Sequence, residues 1–112
     1  MSDKDYFETT LRPHARLAIL RLLEDAPRYT SNVSMITTLL PSMGISMTRA
    51  QIEAEVEWLR VEALVTVEMP TEHLVVVAAT VAGVEVAQGI GRHNAVPRPR
   101  AGIRAHPPAP QA

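Results

Sequence analysis

Between Pro13 and Asp25 the apolar residues recur at helical spacing: Leu17, Leu20 and Leu23 share one face, while Ala15, Ile19, Leu22 and Ala26 cover the adjoining arc. Pro13 suits the first helical position and Pro27 ends the run. Residues 3–10, with Tyr6 and Phe7 as anchors, predict a short helix ahead of it. After the turn Ala26-Pro27-Arg28-Tyr29, the run Thr30-Ser31-Asn32 offers N-cap oxygens to a helix carrying Val33, Ile36, Leu39 and Leu40, which Pro41 and Gly44 stop. Thr48 followed by Gln51 has capping-box spacing and opens a third helix with Ile52, Val56, Leu59 and Ala63 on its inner side. The period then changes to that of strands. Leu64–Met69 and Leu74–Ala79 are β-rich runs joined by Pro70-Thr71-Glu72-His73, which predicts a hairpin. Thr80 caps a last helix from Val81 to about Ile90.

The predicted order is helix, helix, helix, strand, strand, helix: a mostly α fold with one β-hairpin. Two helices joined by a short turn, the second feeding a β-ribbon, form a winged helix-turn-helix. The chain has 112 residues, 46% of them hydrophobic, and a single Phe and Trp, so one small domain with an aliphatic core is expected. The absence of cysteine excludes a disulfide scaffold, a thiolate metal site and a Cys nucleophile. No apolar run approaches the roughly 20 residues of a membrane-spanning helix, and the acidic N-terminus lacks signal-peptide order. The expectation is a cytoplasmic protein.

Charge divides the chain unevenly. Residues 1–90 hold seven Lys and Arg against twelve Asp and Glu, whereas residues 91–112 hold four Arg and no acid. The second part also has five of the nine prolines and little to bury, which predicts a folded domain over 1–92 and a flexible Pro/Arg-rich tail over 93–112.

The stretch Ile52-Glu53-Ala54-Glu55-Val56-Glu57-Trp58-Leu59-Arg60-Val61-Glu62-Ala63-Leu64-Val65 resembles the recognition helix and start of the wing in bacterial ArsR and MarR repressors, with Ala63 where those have Gly. Leu11-Arg12-Pro13-His14-Ala15-Arg16-Leu17-Ala18-Ile19-Leu20-Arg21-Leu22-Leu23, the Ala-Pro-x-Tyr turn and Trp58-Leu59 are similar to a family of small winged-helix proteins carried by Mu-like transposable phages and prophages. This resemblance spans residues 5–91. It implies a DNA-binding protein in a bacterial host cell, a homodimeric transcriptional regulator or an accessory of another DNA transaction. Thr48, Arg49, Gln51 and His73 would then face DNA from the third helix and the wing tip, with Arg98 and Arg100 of the tail along the backbone. Arg49 and Gln51 have the chemistry to read guanine and adenine edges.

Set against this, Arg49–Glu62 holds two Arg and four Glu, a balance that weakens phosphate binding. The side of the third helix opposite its apolar stripe carries Ala54, Trp58 and Val61. Trp58 leans back onto the first helix or the wing as core, or these three form a contact patch for a host or phage protein, or the Trp is exposed with no role. Tail arginines serve equally as a DNA arm or as a solubilising segment. The surplus apolar surface of the first and last helices, represented by Ile19, Leu22, Val84 and Ile90, predicts a homodimer interface. The four histidines lack metal-ligand spacing, no cofactor fingerprint occurs, and the acids fall largely on exposed helix faces. A non-enzymatic protein without metal or cofactor is the expectation.

Overall fold

The computed structural model describes residues 2–99 as a mostly helical fold with a three-stranded antiparallel sheet. The expected short first helix and the long one after it are one uninterrupted helical run. Helix α1 (Asp3–Tyr6) passes through a π-helical turn (Phe7–Leu11) into α2 (Arg12–Asp25), and the junction residues Phe7, Leu11 and Arg12 all have helical dihedrals. Pro13 therefore sits inside the run. Its ring cannot donate and crowds the carbonyl four residues back, and the wider π turn just upstream provides the room.

The run Thr30–Asn32, read from sequence only as a source of caps, is a strand, β1. Asn32 does cap the next helix, α3 (Val33–Leu39), by accepting a hydrogen bond from Met35 N–H at 2.9 Å. A 3-10 turn (Leu40–Met43) and Gly44, with φ 81°, then stop α3. Helix α4 (Arg49–Val61) opens with the capping box expected from Thr48 and Gln51. The hairpin follows as β2 (Val65–Thr71) and β3 (Leu74–Ala79), with only Glu72 and His73 between the strands. Helix α5 (Val81–Gln88) closes the fold on its Thr80 cap.

Strand β3 lies in the middle of the sheet. Thr30, Ser31 and Asn32 of β1 pair with Ala78, Val77 and Val76, while Val65, Val67 and Glu68 of β2 pair with Ala79, Val77 and Val76. The core fills the space between this sheet and the helices. Ile19, Leu20 and Leu23 of α2 meet Val33 and Ile36 of α3, Ile52 and Leu59 of α4, and Val65 and Val77 of the sheet, all essentially fully buried. Each fully buried Leu or Ile contributes about 1.5–3 kcal/mol over its exposed state, so these three helices and the hairpin hold one another in place.

Ala63 is not the fourth member of the α4 stripe. It is exposed and has φ 61°, just past the end of α4. A left-handed conformation costs a non-glycine residue about 1 kcal/mol or more, and this is the position where the ArsR and MarR resemblance would put Gly. Ala63→Gly is expected to stabilise the domain by about 0.5–1 kcal/mol, read as a Tm higher by a few degrees.

The packed unit also extends past the expected boundary at residue 92. His93 and Val96 form a β-bridge, Val96 is buried, and Arg98 Nη2 donates to the Gly89 carbonyl at 3.2 Å. Residues 93–99 thus carry contacts that a solvated tail would lack. Among the described residues no helix is long and apolar enough to cross a membrane.

Candidate functional site

At the start of α4 the residues expected to meet DNA are largely occupied within the domain. Gln51 N–H donates to Thr48 Oγ1 at 3.1 Å, and Thr48 N–H donates to Gln51 Oε1 at 2.9 Å. To read an adenine edge, Gln51 must leave this cap at a cost of about 1 kcal/mol. Arg49 donates to Ser34 Oγ of α3 at 2.8 Å and lies 3.6 Å from Glu53. His73 is exposed at the hairpin tip beside Glu72. Arg98 is exposed but tied to Gly89, and Arg100 lies outside the described residues.

Helix α4 and the hairpin flank a shallow groove of about 190 Å³. Its walls are apolar, from Val33, Val56, Val67 and Val75 with Met69, and Glu53 and Glu57 of α4 complete the lining. Glu57 accepts two hydrogen bonds from Arg60, at 2.6 and 2.9 Å. These bonds hold the Glu57 carboxyl below its ordinary range and Arg60 above its own. Glu57 therefore keeps its charge to a lower pH than an unpaired carboxylate would. Glu68 and Glu72 of the hairpin are exposed as well.

The other side of α4 is a polar seam absent from the sequence reading. The acids are expected largely on exposed helix faces, yet Glu55 is only 1% exposed. Its Oε1 accepts from Arg16 Nε at 2.8 Å and its Oε2 from Arg12 Nε at 2.7 Å. Arg12 also reaches Glu8 at 3.1 Å. Burial alone would lower the Arg12 pKa, but the hydrogen bond and charge of Glu55, aided by Glu8, raise it instead. A signal for this seam existed. Glu55 lies three residues after Ile52 and four before Leu59, inside the arc of the apolar stripe, and Arg12 and Arg16 are one helical turn apart on α2.

Trp58 belongs to the same seam and leans back onto the domain. The Arg16 guanidinium stacks on the Trp58 ring, 3.9 Å from its centroid, and His93 meets the ring edge-on at 5.0 Å. Ala95 N–H donates to His93 Nδ1 at 3.1 Å, so the ring proton sits on Nε2 and donates to Glu62 at 2.7 Å. Arg16 Nη1 reaches the Ala95 carbonyl at 3.3 Å. With Trp58 half-buried beneath residues 93–96, only Ala54 and Val61 of the expected patch are exposed.

The expected dimer surface changes too. Ile19 and Val84 are buried inside the single chain and Leu22 is half-buried, which leaves Ile90 presented, together with Val81. The apolar surplus of both helices is spent largely on the α2–α5 contact within one chain. Among the described residues, no three His, Asp or Glu side chains converge to hold a metal.

Over 85 residues the chain is 36% identical to a protein of Escherichia phage Mu described as "Uncharacterized protein gp26", covering 76% of this chain and 86% of that one. No family model matches the sequence. No solved structure matches it.

Proposed function

We propose, since the chain belongs to the family of the uncharacterized gp26 protein of Escherichia phage Mu, that it is a winged-helix module of a Mu-like phage or prophage whose α4–hairpin face binds another protein. The winged-helix reading is supported by the order α2, β1, α3, α4, β2, β3 and by a sheet ordered β1-β3-β2, in which a short-linked helix pair feeds a β-ribbon. That topology leaves the ligand open.

One observation carries the choice of a protein ligand. The groove beside α4 is apolar inside with Glu53 and Glu57 in its lining, and the two cations near it, Arg49 and Arg60, are already engaged, Arg49 by Ser34 and Glu53 and Arg60 by Glu57. Duplex DNA gains most of its affinity from uncommitted Lys and Arg near phosphates, whereas a protein segment with apolar and basic side chains complements such a surface. A second reading, sequence-selective DNA binding through Thr48, Arg49, Gln51 and His73 with Arg98 and Arg100, is favoured by the exposed first turn of α4. Self-association of the last helix would use Val81 and Ile90, which are exposed.

Fluorescence anisotropy of the full-length protein on pooled phage DNA separates the two. We expect no selective binding at physiological salt, and weak low-salt binding unchanged by Arg49→Ala. A photo-crosslinking residue in place of Met69 is expected to give one discrete protein adduct in phage-producing cells, lost with Glu57→Lys. Selective binding that survives physiological salt and disappears with Arg49→Ala would overturn the protein reading in favour of DNA.

A further inference from the structure

A second concavity lies away from the α4–hairpin groove, between the N-terminal helical run and the turn ahead of α4. It has a volume of about 320 Å³, within the range of small-molecule sites. Leu11, Leu17 and Ala18 supply one apolar wall, and Met43 and Ile45 supply the other. Thr10 and Leu11 come from the π-helical turn. The basic side chains are His14 and Arg21, and no carboxylate is among the residues lining the cleft.

From this arrangement we infer that the cleft binds a small organic anion with an apolar body. The Arg21 guanidinium takes the carboxylate. Arg21 already interacts within the domain, but a guanidinium offers five N–H donors in a planar fork and serves two acceptors at once. His14 stands seven residues earlier on the same helix, about 10 Å along its axis, so it meets the other end of the ligand. Its Nδ1 lies 2.9 Å from the Thr10 carbonyl, which leaves Nε2 as the nitrogen facing an incoming group. The apolar body lies between Leu17 and Ile45. This site stands independently of what the α4–hairpin face binds.

The test is ¹H–¹⁵N NMR titration of the full chain with 4-phenylbutyrate and with its neutral amide, 4-phenylbutyramide. Saturable shifts confined to the amides of Thr10, Leu17, Gly44 and Ile45 are expected for the carboxylate. The neutral amide is expected to bind about tenfold more weakly, the loss of one charge-assisted contact. Arg21→Gln should weaken the carboxylate by a similar factor and leave the amide unchanged. Equal affinity for the two probes, shifts scattered over the surface or no saturation would each overturn the proposal. The comparison of probes on the unaltered protein holds whether or not the variant folds.

Discussion

Gly83→Ala is expected to lower the melting temperature by roughly 12–24 °C, against the usual direction for a helical glycine. Within a helix, alanine is favoured over glycine by about 1 kcal/mol. Here a Cβ on Gly83 would fall on the Leu64 carbonyl oxygen and would stand 3.2 Å from Leu20 Cδ2. That carbonyl accepts from Thr80 N–H at 3.0 Å, and the Thr80 hydroxyl in turn caps Gly83. Neither the backbone oxygen nor the cap can yield without moving α5 off the junction between α4 and β2. Overpacking at such a site costs about 3 kcal/mol, and a domain this size loses about 4–8 °C per kcal/mol. The same junction fixes the hairpin beside α4, so crosslinking from position 69 should fall with stability. An unchanged or raised Tm would show that α5 docks more loosely than this contact requires.

Glu55→Gln is expected to destabilise by about 3 kcal/mol, because it leaves the buried Arg16 guanidinium without its counter-charge. The amide can accept one hydrogen bond, but its NH2 group then faces another donor where Glu55 accepts from both Arg12 and Arg16. Glu55→Leu combined with Arg16→Met should recover much of the loss, since a buried ion pair replaced by apolar groups of similar size is often neutral. Arg16 also stacks on Trp58 and reaches Ala95. The single variant should therefore red-shift Trp58 fluorescence as residues 93–96 lose their anchor. Chemical denaturation monitored by that fluorescence reads both effects. A Glu55→Gln protein as stable as the parent would mean that water, rather than Glu55, satisfies Arg16.

Four features of the fold were legible in the residues. The helical spacing of α2, α3 and α4 marked their inner faces, the Thr48/Gln51 pair marked the start of α4, the switch to β-branched runs marked the hairpin, and Thr80 marked the start of α5. These are local signals, set by side-chain periodicity and capping chemistry within a few residues. The candidate site was legible in its charge, since the acidity of α4 was apparent from Glu53 and Glu57, whereas the left-handed conformation of Ala63 was not, because its spacing continues the apolar stripe of the helix.

What tertiary structure decided depends on partners distant in the chain. Thr30–Asn32 is a strand because β3 has an edge for it to pair with, although Ser and Asn are poor strand formers. Glu55 is buried because α2 brings Arg12 and Arg16 to it from 43 and 39 residues away. Trp58 turns inward because Arg16 and His93 close on its two sides, and Ile19 and Val84 are internal because the chain buries them itself. Periodicity locates an apolar arc but does not say which surface covers it. A carboxylate within that arc is stable only if a distant helix supplies its counter-charge, and that is a property of the packing alone.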